Sequence, residues 1–207
     1  MYSSDMWDDR YKAGKDSLPW DTGMPAEELV EYFQRSEVKP TSVLEIGCGT
    51  GTNAVWMAQQ GCTVVANDYA PTAIAAAIQK NKDSGVEVKF EVSDILAAEP
   101  VPAGSVDFVF DRGVYHVMAP DVRSKFIDRV HTALGEGGFW LCLAGNADEF
   151  RPEGVEGPPQ LKASELVDEA EKQFEIVRME RARFVLPDNS PHLAWKVVYR
   201  KRAKQQA

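Results

Sequence analysis

The sequence predicts an α/β fold in which a mainly parallel, seven-stranded sheet with one antiparallel strand is covered by helices on both faces. Short apolar runs typical of buried strands alternate along the chain with segments that have the apolar spacing of amphipathic helices. The chain then ends in two alternating segments, residues 174–185 and 193–199, which predict a closing hairpin. A hairpin at the end of a parallel sheet supplies the antiparallel strand.

The first half of the chain predicts three strands separated by two helices. Residues 43–46 form an apolar run, residues 62–68 are rich in β-branched side chains, and residues 86–92 alternate between apolar and polar. Helix formers follow from Thr52, and Pro71 suits the first turn of the next helix. These elements form two strand–helix–strand units.

The second half predicts two further buried strands, at residues 106–111 and 139–143. Between them, residues 121–134 carry apolar side chains at fourfold spacing and predict a helix. Ser164 is a candidate N-cap for a later helix. Ahead of the first strand, residues 26–34 predict a helix with one apolar side. No internal repeat interrupts this order.

Three glycines at alternate positions follow the first strand. Gly47, Gly49 and Gly51 permit a tight loop and a close approach of backbone to ligand, and Glu45 precedes them. The dinucleotide-binding fingerprint would place its third glycine where Thr52 stands. An acid at this place repels a pyrophosphate but suits a cofactor that carries an amino group and no phosphate.

Carboxylates stand where three successive strands end. Asp68, Asp94 and Asp111 follow the second, third and fourth predicted strands. Ligands of open α/β sheets bind at the carboxyl ends of the strands, so we expect these residues at one edge. Asp68 is placed to accept hydrogen bonds from ribose hydroxyls; the alternative is that it caps the helix before Pro71. Residues 112–116 follow the fourth strand, where we expect the reaction centre.

The first 25 residues, which we call the N-terminal segment, are rich in large aromatic side chains. Trp7 and Tyr11 fall on one face of a helix, and Trp20 follows the stiff residue Pro19. Few other apolar side chains surround them in the sequence. The segment is therefore interpreted as a lid over a cofactor; the alternative is simple packing on the domain surface.

Composition excludes several classes of protein. A net charge of −9 argues against a nucleic-acid partner, because phosphate contacts require a basic face. Three widely spaced cysteines predict neither a disulfide framework nor a zinc site. The first residues lack a signal peptide, and no apolar run reaches membrane-spanning length. We expect a cytoplasmic protein with no membrane partner, either a monomer or a homodimer.

Taken together, the glycine loop and the strand-end carboxylates resemble class I S-adenosylmethionine-dependent methyltransferases over most of the chain. The N-terminal aromatics, the run from Asp111 to Gly113 and residues 157–159 resemble the thiopurine S-methyltransferase and halide/thiol methyltransferase group. The resemblance implies a Rossmann-like, doubly wound fold. It also implies a single domain over residues 1–207, with residues 1–25 covering the cofactor and residues 38–200 forming the core.

The resemblance further implies S-adenosyl-L-methionine as cofactor, S-adenosyl-L-homocysteine as product, and no metal. Tyr11 departs from the tryptophan of the plant enzymes, and residues 114–118 on the acceptor side differ from theirs. The residues expected to bind the cofactor are Trp7, Tyr11, Trp20, Glu45, Gly47, Gly49, Gly51, Asp68, Tyr69, Asp94, Ile95, Asp111 and Arg112.

The expected reaction is methyl transfer to a small-molecule thiol, selenol or halide, which needs alignment and no base. The alternative is an O- or N-methyltransferase that uses His116 as base, since histidine has a suitable ordinary pKa. Arg112, Tyr115 and His116 are the candidate catalytic residues. A nucleotide-dependent dehydrogenase is disfavoured by Glu45 and Thr52. A protein that binds S-adenosylmethionine without turning it over remains a further alternative.

Overall fold

The structure is a computed structural model that describes residues 3–14, 18–37, 39–155, 157, 159–185 and 191–203. The strands are β1 (Ser42–Ile46), β2 (Thr63–Asp68), β3 (Val88–Val92), β4 (Val106–Arg112), β5 (Leu134–Asn146), β6 (Gln160–Leu161), β7 (Phe174–Val185) and β8 (Pro191–Lys201). The α-helices are α1 (Ser4–Lys12), α2 (Glu27–Arg35), α3 (Thr52–Gln59), α4 (Pro71–Asn81), α5 (Arg123–Ala133) and α6 (Ala163–Val167).

Seven strands form a continuous sheet in the order β3-β2-β1-β4-β5-β8-β7. All neighbours from β3 to β5 are parallel, and β8 runs antiparallel to both β5 and β7. The predicted mainly parallel sheet with one antiparallel strand is therefore confirmed. The two-residue strand β6, which pairs with β5, is an addition that the sequence did not predict. The predicted turn between β7 and β8, residues 186–190, lies outside the described residues.

The strand order reverses at β1, which lies between β2 and β4. The chain builds outward from β1 to β3 on one side and then crosses to β4 on the other. A crevice opens at such a switch point, beyond the carboxyl ends of the strands, because the connecting loops leave in opposite directions. This topology places the glycine loop after β1 and the residues after β4 around one crevice.

The sheet separates two apolar cores. Phe108 and Phe110 of β4 belong to the core that α2 and α3 cover, whereas Val109 belongs to the core that α5 covers. In this second core Trp140 and Tyr199 stack with ring centroids 4.3 Å apart. The alternation along β4 follows from the strand geometry, which points successive side chains to opposite faces.

Several boundaries differ from those predicted. A turn of 3₁₀ helix (Pro120–Val122) precedes α5, and β5 begins at Leu134 rather than after the glycines that follow it. Ser164 lies inside α6, with Lys162 at the N-cap, because a Glu165 carboxylate oxygen accepts the Lys162 N–H at 2.9 Å and sets the helix start. Strand β7 begins at Phe174, as the alternating segment 174–185 predicts.

Among the described residues, no helix has both the length and the apolar character that a membrane span requires. The cytoplasmic location and the monomeric or homodimeric state stay predictions.

Candidate active site

The three glycines of the loop after β1 all have positive φ, between 55° and 79°. A Cβ atom at Gly47 would overlap Val114, and one at Gly51 would lie 2.9 Å from Ala77 and Phe90. At Gly49 the nearest atom is instead the Tyr11 hydroxyl oxygen, 2.9 Å away. Gly47 and Gly51 therefore let the loop pack against the protein, and Gly49 is the glycine that faces the crevice.

Glu45, near the end of β1, is a buried acid in which one of the two carboxylate oxygens has no hydrogen-bond partner among the described residues. Its side chain Oε1 accepts from the Asn53 amide nitrogen at 3.2 Å, and the oxygen of that amide accepts the Ala26 N–H at 2.9 Å. Oε2 is buried and has no hydrogen-bond partner among the described residues. Burial, with a smaller contribution from Asp68, raises the Glu45 pKa to about 8. This oxygen requires a donor, which an amino group of a ligand would supply.

Asp68, at the end of β2, holds the glycine loop and the next helix together. One carboxylate oxygen accepts the Gly49 N–H at 2.8 Å and the other accepts the Ala70 N–H at 2.9 Å, just before α4. Burial raises the Asp68 pKa in spite of these bonds. Each carboxylate oxygen has a second lone pair, so both interpretations of Asp68 fit its position. Tyr69 follows it and is partly exposed.

Asp94 and Ile95 lie beyond the end of β3. The Asp94 carboxylate accepts the Leu96 N–H at 2.8 Å and is only partly buried. The Ile95 side chain is buried in the core that α5 covers. The Asp94 carboxylate is therefore still partly accessible beyond the end of β3, whereas the buried Ile95 side chain leaves its backbone as the part that a ligand could contact.

Two predicted site residues, Asp111 and Tyr115, lie in the core instead. The fully buried Asp111 carboxylate accepts the Trp140 ring N–H at 2.8 Å and the Tyr115 N–H at 3.0 Å. Tyr115 is also fully buried and donates its hydroxyl to the Glu165 carbonyl at 3.0 Å, and burial raises its pKa. The predicted contacts of these side chains with cofactor and acceptor do not fit these positions. Both residues shape the turn after β4.

Arg112, the last residue of β4, is a half-buried cation at the crevice. One guanidinium nitrogen donates to the Trp20 carbonyl at 3.2 Å, and the guanidinium carbon lies 5.0 Å from the Phe184 ring centroid. Its Nε atom is buried without a hydrogen-bond partner in the described part of the chain. Burial lowers the Arg112 pKa. The negative charges of nearby acids raise it, and Glu28 has the largest effect among them. A guanidinium nonetheless stays protonated, so the crevice contains a fixed positive charge.

His116 follows in a turn of 3₁₀ helix (Tyr115–Val117). Its Nδ1 accepts the Gly145 N–H at 2.9 Å, so the ring proton of neutral His116 is on Nε2. Burial, and then the positive charge of Arg112, lower its pKa to about 3. The ring is therefore neutral at physiological pH and acts as a donor through Nε2.

The N-terminal segment lies over the glycine loop. Trp20 meets Trp7 and Tyr11 edge to face, with ring centroids 5.6 Å and 6.3 Å away. The Trp20 ring N–H donates to the Tyr11 hydroxyl at 3.4 Å. Burial, and then Asp68, raise the Tyr11 pKa. The structure thus brings the three predicted aromatics together, and Tyr11 is the one that lies against Gly49.

Besides the bond from Arg112 to Trp20, two further polar contacts hold this segment against the core, and sequence reasoning missed both. The Asp8 carboxylate of α1 accepts the Thr72 N–H at 2.7 Å and so caps α4 from outside that helix. The Asp21 carboxylate accepts from the Thr50 hydroxyl of the glycine loop at 2.8 Å. The available signal was Ala70, which precedes α4 and has no side chain that could cap it.

Comparison with known proteins assigns the family. Residues 2–206 match the family model described as "Thiopurine S-methyltransferase (TPMT)". The chain belongs to the thiopurine S-methyltransferase family. As a member of this family it is an S-adenosylmethionine-dependent methyltransferase, and the resemblance predicted from the sequence is confirmed.

Relatives of this thiopurine S-methyltransferase family member include two named proteins. The 2-heptyl-1-hydroxyquinolin-4(1H)-one methyltransferase of Mycobacteroides abscessus is 28% identical over 80% of this chain and 72% of its own. The "Probable thiol methyltransferase 2" of Arabidopsis thaliana is 29% identical over 71% of this chain and 64% of its own.

A solved structure described as "Conversion of a Disulfide Bond into a Thioacetal Group during Echinomycin Biosynthesis" has the same fold. It covers 99% of this family member and 94% of its own chain, with a TM-score of 0.84 and 24% identity.

Replacement of Asp8 by alanine is expected to loosen the N-terminal segment. The change removes the cap on α4 and the ion pair of Asp8 with Lys12, which together hold the Asp8 pKa at about 2. Tryptic cleavage after Arg10 or Lys12 should therefore be faster, and S-adenosylhomocysteine should slow it. Asp9→Ala is the matched control, because the Asp9 side chain is 75% exposed. Equal cleavage of the two variants would contradict a role of Asp8 in fastening the segment.

Replacement of Glu45 by glutamine is expected to change how stability depends on pH. The carboxyl has an ordinary pKa of 4.5, which burial raises to about 8 in the folded protein. The stability from Glu45 is thus fully present below the unfolded value and is lost as pH rises through the folded value.

The amide does not ionise. The free energy of unfolding of Glu45→Gln should therefore rise relative to that of wild type by roughly 4 kcal/mol as the pH rises from the unfolded to the folded pKa. Urea unfolding of both proteins in the absence of cofactor, at several pH values, measures this difference. A difference that does not change with pH would show that Glu45 is ionised throughout.

Proposed function

We propose that this methyltransferase transfers the methyl group of S-adenosylmethionine to a thiol, selenol or halide of a small molecule. The observation that carries the proposal is that a cation with a buried, unpartnered nitrogen, Arg112, lies near a neutral histidine, His116, at the end of β4. A cation favours an anionic acceptor. His116 offers no free lone pair as a base, because Nδ1 accepts the Gly145 N–H and Nε2 carries the proton. The family and the thiol methyltransferase relative support the same class of acceptor.

The residues around the crevice fit the cofactor. The unpartnered Glu45 Oε2 would accept from its amino group, Asp68 would accept from ribose hydroxyls, and Asp94 would accept from the adenine amino group. Gly49 leaves room beside the loop, and Tyr11 covers it. When bound, the cofactor supplies an electrophilic methyl group on a positively charged sulfur. We also propose that no metal takes part in the reaction.

The remaining work of the chain is to hold the acceptor in line and to exclude water. Arg112 attracts a thiolate or halide and, through its bond to the Trp20 carbonyl, links the acceptor side to the N-terminal segment. His116 donates through Nε2 and orients a polar group of the acceptor. Alignment of this kind supplies most of the rate when the acceptor is already an anion.

The same geometry argues against His116 as the base of an O- or N-methyltransferase. Its Nδ1 is occupied by the Gly145 N–H, and its Nε2 already carries the proton. A pKa of about 3 also makes proton capture unfavourable. The Mycobacteroides abscessus relative is named for a substrate that carries a hydroxyl group. A hydroxyl acceptor in this protein would need a proton acceptor other than His116.

We also propose that the chain is one domain, with residues 1–25 as a covering segment on a core at residues 38–200. The contacts of Asp8, Asp21 and Arg112 between segment and core support this division.

The proposal is tested with wild type and His116→Ala against thiols, iodide, phenols and amines, with S-adenosylhomocysteine as the measured product. Wild type should turn over thiols, and His116→Ala should lower that rate only severalfold, with a pH profile that follows ionisation of the thiol. A hundredfold loss, together with loss of an acidic limb of the profile, would make His116 a base and contradict the proposal. Binding of S-adenosylmethionine with no product from any acceptor would identify a binding protein.

A further inference from the structure

A half-buried carboxylate, Glu149, organises the loop that follows β5. Its Oε1 accepts the Leu193 N–H at 3.0 Å and lies 3.0 Å from Nδ1 of His192. Its Oε2 accepts from Arg151 and from the Gln160 side-chain amide, both at 3.1 Å. Four donors thus surround one carboxylate and hold it in a single orientation against the histidine.

These contacts determine which nitrogen of His192 carries the proton. Burial raises the Glu149 pKa. The Leu193 N–H, Arg151 and His192 together lower the pKa by more than burial raises it, so the net shift is downward. The carboxylate is therefore ionised and only accepts, which makes Nδ1 of His192 the donor. In the neutral ring Nε2 is then the acceptor, and it has no hydrogen-bond partner among the residues that the structure describes.

The β7–β8 hairpin brings His192 to the same edge of the sheet as the crevice. His192 is paired directly with Phe184, and side chains paired in this way lie on one face of the sheet. The Phe184 ring lies 5.9 Å from the His116 ring and 5.0 Å from the Arg112 guanidinium carbon. Two histidines of opposite tautomers therefore flank Phe184: His116 donates through Nε2, and His192 accepts through Nε2.

We propose that Glu149 and His192 form a proton-accepting pair that extends the acceptors of this enzyme to protonated aromatic hydroxyl groups. The inference rests on the proposed methyl transfer and goes beyond its thiol acceptors. A base whose second nitrogen is oriented by a carboxylate is the arrangement that activates weak nucleophiles. The buried Phe184, which is paired with His192 and packs on Arg112 and His116, connects this pair to the crevice.

With a phenol as acceptor, methyl transfer and proton removal occur together. The acceptor oxygen forms a bond to the methyl carbon while the carbon–sulfur bond breaks, and the electron pair of that bond stays on sulfur. The hydroxyl proton goes to Nε2 of His192, and Glu149 stabilises the resulting imidazolium. The His192 side chain is 23% exposed, so the proton then passes to solvent.

The competing explanation is a structural clamp, in which Glu149 only ties the loop after β5 to β8. The charged groups that face His192 are Glu149 and, across that carboxylate, Arg151; Arg112 lies beyond Phe184. A clamp would affect every acceptor equally. A base would affect only acceptors that must lose a proton.

The experiment compares wild type, His192→Gln and Glu149→Gln on phenols of graded acidity, from ones that stay protonated at the assay pH to ones that are ionised. For protonated phenols, His192→Gln should lower kcat by about 100-fold or more, the usual contribution of a general base. For ionised phenols and thiolates the loss should approach none. Glu149→Gln should show the same trend with a smaller slope. His131→Gln is the control, because His131 lies on α5 against Phe174.

A loss in His192→Gln that is equal for all acceptors identifies a clamp and overturns the proposal, as does no loss for any acceptor. Absence of phenol methylation by wild type also overturns it, and continued thiol methylation would then leave the proposed function intact.

Nitrogen NMR of the ring nitrogens gives a test that does not depend on activity. The chain has three histidines, so each is assigned by its glutamine variant. His192 should be protonated on Nδ1 and His116 on Nε2. Protonation of His192 on Nε2 would overturn the inference.

Discussion

The hydrogen bond from the Gly49 N–H to the Asp68 carboxylate, 2.8 Å long, is the contact on which the rest of the site depends. It joins the loop after β1 to the end of β2 and so fixes one wall of the crevice at the switch point of the sheet. The second oxygen of Asp68 accepts the Ala70 N–H and positions the start of α4. Asp8 then caps α4, which places the N-terminal segment over the same loop.

The site concentrates polar groups that burial makes unfavourable. Glu45 and Arg112 each keep an unpartnered polar atom away from water, and burial shifts the pKa values of Glu45 and Asp68 upward. Such groups cost stability unless a ligand completes their hydrogen bonds. Their concentration around one crevice, with apolar cores on both faces of the sheet, is the pattern that marks a functional site.

Local sequence features were enough to predict the elements that form the crevice. The glycine spacing, the preceding acid and the apolar runs each lie within one segment. The structure that they favour depends on interactions within that segment. The side of the sheet to which each strand-end side chain points was harder to predict. Asp111 lies near a strand end like Asp68, yet its carboxylate accepts a hydrogen bond from Trp140 in the core. Alternation along β4 contained this information, since Val109 lies two residues before Asp111 and belongs to the core under α5.

Contacts between distant segments were beyond prediction from one sequence. Asp8 and Thr72 are 64 residues apart, and neither has a neighbouring pattern that points to the other. The pairing of Glu149 with His192 depends likewise on the register of β7 and β8 and on the loop after β5. These contacts follow from tertiary packing, which places local segments against each other after their own structure is set.

Calorimetric titration of Asp68→Ala with S-adenosylhomocysteine tests the account most directly, with the exposed residue Asp83→Ala as control. We expect Asp68→Ala to bind S-adenosylhomocysteine more weakly by roughly 1.5 to 3 kcal/mol, the scale of lost charge-assisted hydrogen bonds, and we expect unchanged binding in the control. Circular dichroism should show that both variants are folded. A folded Asp68→Ala protein that binds S-adenosylhomocysteine with the wild-type Kd would contradict the placement of the cofactor at this crevice.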